Sequence, residues 1–410
     1  MMQKLALIVL TGLGTLSLGA LGSLAPSSAN AETFSREVGE PLQEAKKAAD
    51  RRLWDAALAS IKKAQAVPTK KPHEEYQINE LLAYVLLNKK DNAGAARVYE
   101  ENLNSGSTPA SQVGQRVKVI TQLHVGSRNW GKAIEYGNRW IKASPGDTQA
   151  YEQVAQAQHQ SGDCKNASRT MQQGIEVARK AGQTPKQNWL FLKLDCQRKL
   201  NDDAGMTATR EQLVRWYPSK DNWKAVLANV YNQPNNDDRA TLDLFRLMLE
   251  LDVLEKPKDY VEMAQMAIET GAPTEAVSVM EKGFTNKALD GKERERHLRL
   301  LNNAKTQAQA SKAEIAKMEQ EARTAATGEA DVRLGGRYLA NGEYGKAVTA
   351  IQRGLKKGGF KGADGAQMML GRAYLKLKQK DQARKAFGAV PDDSKLAQVA
   401  QLWGVYAQQS

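Results

Sequence analysis

The sequence predicts an all-α solenoid of about ten stacked helical hairpins. Three observations lead there. First, a turn of the form aromatic-x-x-Ala recurs as Trp54-Asp55-Ala56-Ala57, Trp130-Gly131-Lys132-Ala133 and Tyr344-Gly345-Lys346-Ala347. Self-similarity at roughly three dozen residues marks an array of two-helix units. Second, the 410 residues are 41% apolar and only 6% aromatic, and rich in Ala, Leu, Lys, Glu and Gln, which form helices readily. Third, a chain of this length exceeds one ordinary core, so its apolar faces must be covered in series.

Residues 1–31 stand apart. Met1-Met2-Gln3-Lys4 is short and positive, Leu5 to Ala25 is apolar, and Ala29-Asn30-Ala31 fits a small-x-small cleavage site. This reads as an export leader cleaved after Ala31, with an uncleaved membrane anchor as the alternative. No Cys follows the apolar run, which argues against a lipid anchor. No later stretch is apolar for long enough to span a bilayer, and the mean hydropathy is -0.57. The whole sequence carries a formal charge of +13, and an exported protein of +12 is expected once Lys4 is removed, attracted to anionic surfaces or simply solvated by its basic exterior.

The small residue near the start of each second helix sets the register. It is Ala57, Ala95, Ala133 and Ala167, then a degenerate unit at Met206, then Ala240 and Ala276. A double gap precedes Ala347 and Ala383, so a hidden unit is expected near Ala313. In the seventh unit Tyr260, Met263, Ala264 and Ala267 fall on one face of the first helix, with Pro273 opening the second. Leu334, Gly335, Tyr338 and Ala347, and again Leu370, Gly371, Tyr374, Ala383 and Phe387, occupy equivalent places in the last two units. Small residues at facing positions let two helices approach, and the large ones fill the space beside them. Pro68, Pro145, Pro218 and Pro391 close several units. Residues 292–325 have no aromatic, Pro or Gly and mix both charge signs. They read as a degenerate repeat or one long charged helix with a solvated face. The expected organisation is a leader at 1–31, an array at 32–290, a degenerate or linker segment at 291–326, and a terminal pair of repeats at 327–410.

Leu370-Gly371-Arg372-Ala373-Tyr374 with Ala383 and Phe387, and Leu334-Gly335-Gly336-Arg337-Tyr338 with Ala347, resemble the tetratricopeptide repeat. The resemblance extends over residues 38–410 and implies tetratricopeptide-like hairpins wound into a right-handed superhelix that binds other proteins. The segments Phe34 to Pro41 and Gln233 to Arg239 also resemble those of periplasmic tetratricopeptide proteins associated with TonB–ExbB–ExbD energy-transduction systems. That narrower resemblance implies a Gram-negative periplasm and partners in the cell envelope, TonB-system components among them.

Little in the chain suggests catalysis. His73, His124, His159 and His297 have no metal-ligand spacing, so no metal, cofactor or catalytic residue is expected. Gly126 to Ala133 superficially resembles a phosphate-binding loop. Its Gly-Lys-Ala ending returns at Gly345-Lys346-Ala347, however, and a structural turn repeats where a phosphate cradle does not. The Gly-rich run Lys356 to Gly365 reads as a linker. The two cysteines, Cys164 and Cys196, lie nearly one period apart and should share one edge of adjacent units. In an oxidising compartment they would form a disulfide; two unpaired thiols and a redox role are the alternatives.

A partner-binding strip is expected on the first helices of the units. Outward positions include Gln77, Tyr84, Asn88, Lys118, Gln122, Gln156, Asp195 and Asn229. Amides can pair with the N–H and C=O groups of an extended peptide, although Gln and Asn are also ordinary solvated surface residues. The leading expectation is a non-catalytic scaffold or adaptor for a protein or peptide of the envelope. A cell-wall or membrane-surface factor recruited by positive charge comes second and an enzyme third. Nucleic acid is not expected as a partner.

Overall fold

The computed structural model describes residues 33–233 and 237–410. The expected leader, with Ala31, lies outside them, as do Pro234, Asn235 and Asn236 of the narrower resemblance. The described residues are helical, without strands. No helix among them is long and apolar enough to cross a membrane. The chain divides into two compact units, at Asp203/Ala204. The division falls inside the expected 32–290 array, and 327–410 belongs to the same unit as the residues from Ala204 onward.

The first unit contains α1 (Arg36–Asp50), α2 (Trp54–Gln65), α3 (Pro72–Asn88), α4 (Asn92–Asn104), α5 (Ala110–Gly126), α6 (Trp130–Ala143), α7 (Thr148–Gln160), α8 (Cys164–Lys180) and α9 (Gln187–Lys199). These pack pairwise as hairpins, and the second helix of each pair meets the first helix of the next. The register residues explain the pairing. Ala57, Ala95, Ala133 and Ala167 are each the fourth residue of their helix and are fully buried.

The turn between the two helices of a pair is built the same way each time. One residue takes a left-handed backbone: Arg52, Lys90, Arg128 and Gly162 have φ of 58°, 63°, 58° and 87°. The next N–H then reaches back five residues. Leu53 donates to the Ala48 carbonyl, Asp91 to Leu86, Asn129 to His124 and Asp163 to Gln158, at 2.8–2.9 Å. This is a Schellman closure, which satisfies the last carbonyls of one helix and reverses the chain within three residues. Asp91, Asn129 and Asp163 then cap the following helix by accepting from the N–H groups of Gly94, Lys132 and Asn166. The phosphate-loop-like segment is therefore one of these turns, with α5 before it and α6 after it.

The second unit contains α10 (Asp203–Trp216), α11 (Lys220–Tyr231), α12 (Asp238–Glu250), α13 (Pro257–Glu269), α14 (Pro273–Thr285), α15 (Arg294–Ala313), α16 (Ile315–Thr324), α17 (Glu329–Ala340), α18 (Tyr344–Lys357), α19 (Ala363–Lys376), α20 (Lys380–Gly388) and α21 (Ala397–Gln409). Gly271, Gly342 and Lys378 supply the same left-handed turns, with φ of 76°, 82° and 60°. Ala276, Ala347 and Ala383 again stand fourth in their helices, fully buried. In the last hairpin a Cβ at Gly371 would sit 2.5 Å from the Phe387 ring, so only Gly permits that approach. The expected hidden hairpin near Ala313 is absent. Ala313 ends α15, Glu314 keeps a right-handed helical backbone (φ -82°, ψ -13°), and α16 follows at once. With no Gly or Pro to reverse it, the chain continues onward, and α15 and α16 barely touch.

The unit closes on itself. Residues of α10 to α12 share one core with residues of α19 to α21, among them Val214, Trp223, Leu227 and Leu244 with Met368, Phe387, Leu396 and Trp403. Trp403 stacks on Phe387 at 5.6 Å and donates its indole N–H to the Asp243 carbonyl at 3.0 Å. Beside it lie four charges, Asp243 buried and Arg246, Glu275 and Arg372 half-buried. Arg246 holds Asp243 (2.9 Å) and Glu275 (2.6 Å), and Arg372 reaches the same two carboxylates at 3.2 and 3.3 Å. Burial by itself would raise the Glu275 carboxyl, but Arg246 and Arg372 overcome it and hold it at about 2. The C-terminal repeats are thus clamped to α12 and α14 rather than set apart by residues 291–326.

Gly162→Ala meets no atom within 4 Å, so its cost is that of the left-handed backbone alone, about 1 kcal/mol, whereas Arg128→Gly stabilises by roughly 0.5–1 kcal/mol. Urea unfolding of both variants measures each effect. Because the folded pKa of Glu275 lies below its ordinary 4.5, its contribution is fully present above pH 4.5 and is lost as pH falls toward 2. Glu275→Gln should cost about 3–5 kcal/mol at pH 7 and flatten the acid limb of a stability–pH curve.

Candidate functional site

The first helices of the repeats in unit one, α3, α5, α7 and α9, are joined side to side by polar ties at one-period spacing. Tyr76 donates to Gln112 at 2.9 Å, Arg116 pairs with Glu80 at 2.6 Å, and Lys186 and Asn188 reach Glu152 at 2.7 and 3.5 Å. His159 meets Asp195 at 2.7 Å. Arg116 also lies over the Tyr99 ring, 3.9 Å from its centre. Burial raises the Glu80 carboxyl in spite of Arg116. Lys199 first, then His159 and Arg198, hold Asp195 well below the usual carboxylate range.

The residues expected on the strip divide into three groups. Gln77, Gln122 and Gln156 are half-buried, and their side chains make no hydrogen bond among the described residues. Tyr84, Asn88, Lys118 and Asp195 lie along the same helices but are engaged. Tyr84 stands edge-on to Trp54, Asn88 donates to its own helix, and Lys118 sits over the Trp140 ring and pairs with Asp147 at 3.7 Å. Asn229 does not join them. It lies in the second unit, and its amide accepts from Arg210 at 2.6 Å and donates to Thr207, both on α10. The outward register was extended to α11, but there that position faces the partner helix.

Sequence reading missed two features. Phe191 on α9 is 48% exposed, between Asn188 and Asp195. An aromatic ring inside a polar helix face was the available signal. The second is a cluster at the junction of α7, α8 and α9. Ligand-type atoms of His159, Cys164 and Cys196 all lie within 4.8 Å of one another. The other histidines are dispersed: His73 lies against Phe34, His124 bonds Glu100, and His297 approaches the Leu289 carbonyl at 3.1 Å. Cys164 and Cys196 are buried free thiols side by side. Burial, then the neighbouring Cys164 thiol, pushes Cys196 up to about 12. In the second unit a polar hollow of about 290 Å³ is bordered by Glu319, Arg323, Tyr338, Lys346 and Arg353.

This fold, with a shallow polar strip along successive hairpins, defines the molecule as a helical-repeat protein of the α-solenoid class. The tetratricopeptide repeat family matches residues 332–394, the segment holding α17 to α20. Comparison with curated proteins returns no match. Solved structures show distant likeness. A tetratricopeptide repeat protein from Parabacteroides merdae is 12% identical, with 83% of this chain and 99% of that one covered at a TM-score of 0.32. A structure of Naa15/Naa10 bound to HypK-THB is 12% identical, with 90% of this chain and 62% of that one covered at 0.31. The apo form of RapI is 10% identical, with 67% and 99% covered at 0.31. Likeness this distant carries nothing about function. No enzyme family is indicated by the family comparison.

Proposed function

We propose that this protein is a non-catalytic scaffold that captures a polar, extended segment of another protein along α3, α5, α7 and α9. The observation that carries the reading is the set of uncommitted amides, Gln77, Gln122 and Gln156, on neighbouring helices that are tied to one another by Tyr76–Gln112, Arg116–Glu80 and His159–Asp195. Amides offer both a donor and an acceptor, matching a peptide backbone without regard to side-chain charge. Phe191 adds an exposed aromatic anchor at the α9 end of the strip. The partner's class and compartment belong to the same proposal. The leader-like residues 1–31 and the segments at 34–41 and 233–239 support a periplasmic adaptor linked to a TonB–ExbB–ExbD type system.

Photo-crosslinkers placed at Gln77, Gln122 and Gln156 in living cells should capture one set of envelope proteins. Crosslinkers at the exposed Glu135 and Glu176, on α6 and α8, should not. Joint replacement of the three glutamines by Ala should abolish capture from the strip while shifting stability by less than about 1 kcal/mol. Equal capture from both faces, or salt-sensitive sedimentation with peptidoglycan or anionic vesicles unaffected by the triple variant, would replace the peptide strip with a surface drawn by the +13 charge.

A further inference from the structure

The fold gathers the only two cysteines of the chain and one of its four histidines at a single point. His159 lies next to last in α7, Cys164 opens α8 after the Gly162 turn, and Cys196 comes from α9. Their three ligand-type atoms fall within 4.8 Å of one another, a spread that coordination to one ion could draw together. Cys196 is 0% and Cys164 5% exposed, and the sulfurs share an apolar surround with Ala167 and Leu192. The His159 side chain, at 22% exposure, forms the solvent-facing edge.

A second observation concerns the imidazole. Asp195 lies 2.7 Å from Nε2 and is itself held by Lys199 at 2.8 Å and Arg198 at 2.5 Å. Lys199 Nζ also lies 3.3 Å from Nε2; with the Nε2 proton donated to Asp195 in a hydrogen bond, the lone pair is on Nδ1 and the ring is fixed. That pairing commonly orients a metal-binding histidine from behind. We propose that His159, Cys164 and Cys196 form a zinc site that staples α7 and α8 to α9, with Asp195 as the positioning residue. Two sulfurs and one imidazole nitrogen suit a borderline-soft dication and not magnesium or calcium, which take oxygen. On binding, each thiol gives up its proton and donates a sulfur lone pair. Two thiolates then balance the charge of the ion, and solvent reaches the fourth position past His159. No electrons are transferred. This inference does not rest on the scaffold reading.

The test uses the full chain, reduced and stripped of metal, titrated with zinc against a chromophoric chelator and separately with cobalt. One zinc should bind per chain. Cobalt should produce thiolate charge-transfer absorption that Cys164→Ser and Cys196→Ser each remove. Zinc affinity should fall at least about 100-fold in either serine variant. It should fall about 10–100-fold in Asp195→Asn, which leaves the cobalt–thiolate bands in place. His159→Gln, at the half-exposed edge, should weaken zinc while leaving the helical circular dichroism unchanged, which keeps the result readable if a serine variant misfolds. Zinc should raise the melting temperature of the parent chain, less that of Asp195→Asn and His159→Gln, and not that of either serine variant. Sub-stoichiometric zinc, binding indifferent to these variants, or a Cys164–Cys196 disulfide that forms even with zinc present would each overturn the site.

Discussion

The fold depends on how each chain reversal is made. A single left-handed residue, followed by an N–H reaching back five positions, turns one helix into the next at Arg52, Lys90, Arg128, Gly162, Gly271, Gly342 and Lys378. Because the turn is short and uniform, the fourth residue of the next helix always lands against the preceding one, and only a small side chain fits. Ala therefore recurs there, fully buried, from Ala57 to Ala383. All seven of these turns use Arg, Lys or Gly, and the non-Gly members accept backbone strain. Closing the helix-end carbonyls and burying the adjoining faces outweighs that strain.

The two units apply this rule differently. In the first, the cores are small and local, each shared by neighbouring hairpins, as in the cluster of Val38, Ala57, Ile61 and Ile78. The second adds a long-range closure in which α21 lies beside α12, and Asp243 and Glu275 are shared by arginines from α12 and α19. Charges largely withdrawn from water in this way add little net stability compared with an apolar equivalent, yet removing one partner is costly. The four charges tie α12, α14 and α19 to one another.

The candidate strip follows from the same geometry. Side-to-side ties such as Glu80–Arg116 and His159–Asp195 consume the charged groups where adjacent first helices meet, and amides are left between them. A surface of that composition has hydrogen-bonding capacity without a strong field of its own. The basic excess of the whole chain is therefore not the property that distinguishes this strip.

Much of the architecture was legible in the residues because a hairpin is a local object. Apolar spacing of three and four, an Asp or Asn cap, and a small residue at the fourth position are read within one period, so helix pairs were placed correctly wherever these signals were present. Between residues 292 and 325 there was no Gly or Pro to signal a reversal, and the chain makes none. The outward register does not extend to α11, where Asn229 turns to Thr207 and Arg210 instead of solvent. By itself, then, the sequence determined the helices, their turns and the succession of hairpins. Only the tertiary structure decided that Arg372 would meet Asp243, that the chain would divide after Asp203, and that His159 would join Cys164 and Cys196. The reason is physical: contacts many repeats apart depend on small rotations accumulated from hairpin to hairpin, and no local pattern of residues records that sum.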